Sequence, residues 1–388
     1  MANFRRDLAL LTASDMLIWF SFGIYYAYIA IFLLESGLSY YTIGLYLSTE
    51  YFGSFFGFIL GGVYADRVGP KRAMVIGRIL MPLVFFLISF LPLELTFIGI
   101  FIAGLSLSTS NTSREKYMVD LLLENRRGFY YNLMNSLSGV AFGLGAFSAS
   151  KFIAHKGVMI GFKSACLNGG YLVSLAILFV LFVEERAEEG KISTIFGLRE
   201  VFTRDTIFLA IIVTFVFLAI SFTWTYISIY AIEVLKISEE KWGVILAAIY
   251  PLNATLSPIF GEVSDKLDLK KNYLVGCGLI MLFNALLAFP LSTGFTYLFL
   301  IFLVDIIGEG FFWPAYFRTE IQLTKKEHRG KIIGYVGLIS FMTRGLFLPI
   351  IGRTYAYSKR LPYIISITLY ILLIFGSLKL STKEEKRD

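Results

Sequence analysis

The chain has 388 residues, of which 57% are hydrophobic, 17% aromatic and only 16% charged, with a mean hydropathy of +0.72, whereas a soluble globular chain carries roughly 25% charged residues. No aqueous fold hides that much apolar surface. The formal charge of +7 comes from short Lys and Arg clusters between apolar runs, with no continuous basic face, which excludes nucleic acid as the partner and makes the lipid bilayer the solvent.

Arg5 and Arg6 precede a first apolar run that is too long for a cleavable signal peptide and carries Asp15 within it, so it reads as a retained span. A spanning helix needs about 20 apolar residues. Hydropathy and punctuation predict spans over residues 8–34, 40–65, 71–91, 95–118, 128–153, 159–183, 205–231, 240–263, 271–290, 294–317, 329–352 and 361–380. The fold class is therefore all-α integral membrane with twelve transmembrane helices: residues 1–183 form one six-helix bundle, 184–204 a cytoplasmic linker, and 205–388 a second bundle with its tail. Within the linker Ile192, Ile195, Phe196 and Phe202 recur at helical spacing opposite Arg199 and Arg204, which suits a short interfacial helix as well as a solvated link. Cys166 and Cys277 fall in different spans and read as core residues, with no disulfide or metal site suggested.

Lys and Arg placement orients the chain. Arg67, Lys71, Arg72, Arg126, Arg127, Lys266, Lys270, Lys271, Lys325, Lys326, Arg329 and Lys331 share one set of loops with both tails, which places both termini in the cytoplasm of a multi-pass protein of the cell membrane. The opposite loops hold few basic residues, chiefly Lys156, Lys236, Lys241, Lys359 and Arg360.

An internal repeat runs through this plan. Gly62-Val-Tyr-Ala-Asp66-Arg67 ends span two and Gly261-Glu-Val-Ser-Asp265-Lys266 ends span eight, each followed by a basic pair, Lys71-Arg72 and Lys270-Lys271, at an offset of about 199 residues. A second echo pairs Glu124-Asn-Arg-Arg127-Gly128 with Lys326-Glu-His-Arg329-Gly330 at an offset of about 202. Duplicated halves explain both.

At these residues the chain resembles the major facilitator superfamily, whose first-half signature is matched by Gly62, Asp66, Arg67, Gly69, Lys71 and Arg72. Pro70 stands where a basic residue is common, and Asp268 replaces the second glycine in the later copy. The stretch from Val119 and Asp120 to Gly128 resembles the family's loop between spans four and five. The resemblance implies two pseudo-symmetric six-helix bundles and a cytoplasmic gate latched by these charges. On physical grounds Gly62 would let two backbones approach, Asp66 would meet the positive end of a neighbouring helix, and Arg67 or Arg72 would pair with Asp120.

No Gly-x-x-x-x-Gly-Lys-[Ser/Thr] phosphate loop occurs, so no cofactor is expected and an ion gradient or the solute's own gradient must drive transport. The two histidines, His155 and His328, lie in loops, which leaves proton handling to membrane carboxylates, since burial penalises their charged form. In chain order these are Asp15 in span one, Glu50 among Ser48, Thr49 and Tyr51 in span two, and Asp305 with Glu309 in span ten, four apart and so on one helix face. An acid at the depth of Asp15 is similar to that of tetracycline/proton antiporters and related drug exporters, though snorkelling or helix packing suits it equally. Arg344 in span eleven is the expected countercharge of Asp305 and Glu309, or an anion ligand. Arg78 and Lys163 read as snorkelling residues near span ends.

The resemblance implies that spans one, four, seven and ten face the solute, a small molecule. Asn111 in span four, Trp224 and Tyr226 in span seven, Tyr25 in span one and Trp313 in span ten are the candidate contacts. Tyr25, Tyr26 and Tyr28 also suit an interfacial aromatic belt, and Arg114 suits a brace for Asp66 or Asp120 as well as a contact to the solute. Exporters of the family carry a Gly-Pro signature in span five; Gly139, Gly143 and Gly145 are present, but Leu144 replaces the proline. The expectation is a monomeric, proton-coupled secondary transporter with a slight lean to efflux by antiport. A proton-coupled symporter for sugar or organic acid is the alternative, and a non-transporting receptor of the same fold a third. An enzyme is not expected, because no membrane histidine or His-Glu-x-x-His motif supplies the chemistry.

Overall fold

The computed structural model describes residues 2–122, 127–185, 203–324 and 329–384, with side chains throughout except at 2–3, 120, 127–128, 329–331 and 377–384. The helices are α1 Ala2–Glu35, α2 Tyr40–Val68, α3 Pro70–Phe90, α4 Thr96–Leu121, a bent segment Arg127–Leu181, α7 Arg204–Trp224, α8 Ile227–Glu233, α9 Glu239–Asp265, α10 Leu269–Ala288, α11 Phe295–Leu323, α12 Arg329–Tyr357 and α13 Leu361–Glu384. Gly157, at φ 73°, divides the bent segment into α5 and α6, a conformation only glycine adopts without strain. Among the described residues ten helices are long and apolar enough to cross a membrane. Counting the bent one as two and adding α13 restores the twelve expected spans; span seven is α7 continued, after a turn at Thr225 and Tyr226, by α8.

The starts of these helices follow from their residues. Ser39 Oγ accepts from the Thr42 amide at 3.2 Å, Thr203 Oγ1 from Thr206 at 3.2 Å and Asp268 Oδ1 from Lys271 at 2.7 Å, each satisfying a donor left open in a first turn. The first repeat does this differently: Gly69 turns the chain at φ 94° and Pro70 opens α3. Asp268 stands in the second repeat where Gly69 stands in the first, because there a side chain caps α10 in place of a glycine turn.

The chain divides into two compact units, Met1–Ser193 with Ser238–Ala254, and Thr194–Ile237 with Thr255–Asp388. The first part of α9 thus packs with the first six spans. Within the first unit α2 lies on α4 through Gly53, Gly57 and Gly61, one turn apart on one face. A methyl group at Gly57 would strike the Leu105 carbonyl, and one at Gly61 would sit 2.7 Å from the Thr109 carbonyl. Gly62, expected to make that approach, has nothing within 4 Å of such a methyl, because it lies one residue off the packed face. In the second unit Gly276 of α10 meets Phe312 of α11. Phe56, Ile79, Phe90, Phe182, Leu282 and Phe375 remain exposed, an apolar outer surface of the kind a bilayer covers. Cys166 and Cys277 are buried and free, as core residues would be. The expected interfacial helix at Ile192–Phe202 lies outside the described residues.

Candidate functional site

The second unit concentrates its chemistry on α11. Asp305 and Glu309, one turn apart near the middle of this 29-residue helix, line an enclosed cavity with Thr223 and Trp224 of α7, Trp313 of α11 and Tyr370 of α13. Its volume is about 10 Å³, room for the centre of about one water. Asp305 is 5% exposed and, among the described residues, has no hydrogen bond or ion pair. Behind it Thr223 Oγ1 donates to Asn284 Oδ1 at 2.7 Å and lies 2.9 Å from Ser366 Oγ, which ties α7, α10 and α13 into a fixed wall.

Two residues before Thr223, Ser221 Oγ accepts from Arg344 Nε at 2.9 Å, and the guanidinium sits 5.3 Å from the centre of the Phe217 ring. Arg344 therefore reaches the same stretch of α7 that walls the acidic cavity. Trp224 and Trp313 are in the wall as the sequence suggests, with Trp224 5.7 Å from the Phe302 ring. Tyr226 is not. It is 1% exposed at the turn before α8 and stacks on Tyr355 at 4.8 Å, because the break in α7 turns it into the packing between helices.

In the first unit, both oxygens of Glu50 are taken by phenols: Tyr25 donates to Oε2 at 2.9 Å and Tyr26 to Oε1 at 2.5 Å. Tyr25 and Tyr28 are fully buried, which rules out the belt that their position in span one suggests. Deeper in the helix, Asp15 lies between two arginines. Arg78 Nη2 is 2.6 Å from Oδ1 and Arg114 Nε 2.5 Å from Oδ2, while Arg78 also donates to Ser14 and, at 3.3 Å, to Ser110. Arg78 is 1% exposed, so it does not snorkel: Asp15, Ser14 and Ser110 replace the water it would reach for. Arg114 braces Asp15, while the side chain of Asp120 lies outside the described residues. Asn111, half-buried, lies one turn before it on the same face of α4.

The repeat loop is held within its own unit. Asp66, which the sequence places against a helix end, forms an ion pair with Lys116 of α4. Lys71 anchors the loop to the end of α6: its amide donates to Glu185 at 3.3 Å and its ammonium to the Leu181 carbonyl at 3.1 Å. Arg67 and Arg72 are exposed, and the side chain of their expected partner Asp120 lies outside the described residues. In the second unit Arg318 of α11 stands 3.6 Å from Asp265 and donates to the Ser264 and Leu267 carbonyls at 2.8 and 3.1 Å. Lys116 and Arg318 are both absent from the residues the sequence singled out. Their separation of about 202 residues, the offset of the second echo, was the signal available.

The glycines of span five have structural duties. A methyl at Gly145 would strike the Phe20 backbone, and one at Gly143 would lie 2.9 Å from the Leu246 carbonyl.

The fold has solved counterparts. The nucleoside transporter NupG superposes with a TM-score of 0.74 at 13% identity, over 96% of this chain and 98% of that one. A POT family transporter in complex with 5-aminolevulinic acid gives 0.74 at 14% identity, covering 98% and 96%, and the xylose transporter XylE from E. coli in its inward open conformation gives 0.73 at 13%, covering 94% of each. No curated protein sequence matches the chain. The family model described as Major Facilitator Superfamily matches residues 11–348, nearly the whole of the twelve-span region, and this multi-pass membrane protein belongs to that superfamily of transporters.

Proposed function

We propose that the chain is a secondary active transporter that moves a small organic solute by alternating access, coupled to protons through Asp305 and Glu309. The observation that carries this reading is Asp305 itself: a carboxyl group 5% exposed, in mid-helix, on a cavity wall, with no hydrogen bond or ion pair among the described residues. A charge at mid-membrane costs about 2.5–3.5 kcal/mol on insertion scales, which a bound proton removes. Arg344 serves as countercharge to Glu309 or as an anion ligand, and Glu50, clamped by two phenols, as a second proton site in the other unit. Asp15 is proposed here mainly as the bridge that holds Arg78 and Arg114. The exposed charges of the repeat loop latch the cytoplasmic side, with both termini in the cytoplasm of the cell membrane.

Export by antiport is the direction proposed, on the half-present signature of span five. Proton-coupled uptake is the second reading, favoured by the packing duties of Gly143 and Gly145, which give those glycines a reason unrelated to direction. A panel of solutes added to sealed vesicles containing the purified protein tests the reading. At least one solute should change internal pH under an imposed proton gradient; a broad panel that moves no protons overturns it.

A further inference from the structure

A pocket of about 390 Å³ opens in the first unit between the last turn of α3 and the first turns of α6. Phe90, Met159, Ile160 and Leu167 line its apolar side, and Lys163 and Ser164 its polar side. It lies at the end of the unit where α1 finishes, since Ser36 Oγ donates to Met159 Sδ at 3.3 Å. With both termini in the cytoplasm, as proposed above, that end meets the outer leaflet.

Two cations reach this pocket without an acid. The half-buried Lys163 donates its ammonium to the Leu91 carbonyl at 3.3 Å, and Lys156, next to the Gly157 turn, donates to Ser164 Oγ at 3.4 Å. Among the described residues neither lysine forms an ion pair, and the Ser164 hydroxyl donates to no acceptor. The positive end of α6 lies in the same place. Together these groups attract an anion.

The apolar side identifies the kind of anion. Phe90 is 71% and Ile160 64% exposed, and exposed apolar side chains continue along the seam of α3 and α6 through Tyr171, whose ring meets Phe86 at 5.6 Å. Inorganic phosphate would engage the lysines and leave this strip bare. A phospholipid covers both. A zwitterionic head group carries a cation of its own to the lysines, so an anionic one is favoured.

We propose that the pocket binds one anionic phospholipid, its phosphate on Lys163, Lys156 and Ser164 and an acyl chain against Phe90, Ile160 and Leu167. The site is separate from the carboxylates assigned to proton coupling and does not depend on that reading.

Native mass spectrometry of the full chain, purified in detergent and stripped of lipid, tests it with phosphatidylglycerol and phosphatidylcholine of identical chains. Phosphatidylglycerol should bind at least about fivefold tighter than phosphatidylcholine; Lys163→Met should weaken it about fivefold, and Lys156→Met combined with it about twenty-fivefold. Ile160→Ser should weaken both lipids. Lys241→Met, which removes an exposed cation of the same unit outside the pocket, should leave binding unchanged. Equal binding of the two lipids, wild-type affinity in the double lysine variant or in Ile160→Ser, or equal weakening by Lys241→Met overturns the proposal. Displacement of the lipid by inorganic phosphate at matched ionic strength would make this a free-anion site and overturns it as well.

Discussion

Asp66 and Lys116 form an ion pair between α2 and α4, and Asp265 meets Arg318 between α9 and α11 in the second unit. The two pairs occupy equivalent places in the repeat, so the duplication preserves a contact as well as a motif. Each carboxylate ends one helix, and each cation lies near the C-terminal end of a helix that packs beside it. The Asp66 pair is partly exposed, at 27% and 41% of its two side chains, so its strength is modest. Asp66→Asn and Lys116→Gln should each lower stability by about 0.2–1 kcal/mol, and the double variant should lose no more than the worse single one. A double-mutant cycle on thermal unfolding in detergent checks this; full additivity would show that the pair does not couple.

Arg78 makes the opposite case. Enclosed at 1% exposure and joined to Asp15, Ser14 and Ser110, it cannot be removed without leaving a buried carboxylate with one partner fewer. Arg78→Ala should destabilise the protein by about 3–5 kcal/mol. Lys163→Ala should change stability little, because the Lys163 ammonium holds only a long hydrogen bond, at 3.3 Å to the Leu91 carbonyl, among the described residues. Equal, small shifts in melting temperature for the two would return Arg78 to the role of a snorkelling residue.

Close packing of α2 on α4 separates two nearby glycines. Gly57→Val should cost about 1–3 kcal/mol or prevent folding, since the added atoms meet the Leu105 backbone, whereas Gly62→Ala has open space and should be near neutral. Size-exclusion profiles after heating give the comparison. A Gly62→Ala variant as damaged as Gly57→Val would place the helix contact on the other face.

Asp268 gives a pH-dependent helix start. The Lys271 amide and ammonium hold its carboxyl below the usual range for an aspartate. A depressed carboxylate contributes stability that is present above its unfolded value and lost as pH falls through its folded one, so the cap should weaken only in acid, below about pH 4. Asp268→Ala should therefore lower the melting temperature slightly at neutral pH and close the gap to wild type in strong acid. A gap independent of pH would mean that the side chain acts by packing.

The twelve spans were legible because each is a run of apolar residues closed by Gly, Pro or basic punctuation, and membrane helices cannot leave their backbone unpaired in lipid. Asp305 with Glu309, Trp224 and Trp313 were legible too, since spacing of four along one helix and a strong cost of charge in the membrane act locally. What escaped was pairing across helices. Nothing local to Asp15 says that Arg78 and Arg114 converge on it from α3 and α4, and nothing local to Glu50 says that Tyr25 and Tyr26 reach its two oxygens. The motif marks Gly62 by order, whereas helix packing selects Gly61 by face.

The most direct measurement of the central claim is solute-linked proton flux in vesicles reconstituted with wild type, Asp305→Asn and Glu309→Gln. Coupling through this pair predicts that each variant loses the dependence of transport on the proton gradient, while exchange of solute across the membrane at equal pH persists in at least one of them. Transport with unaltered proton dependence in both variants would contradict it.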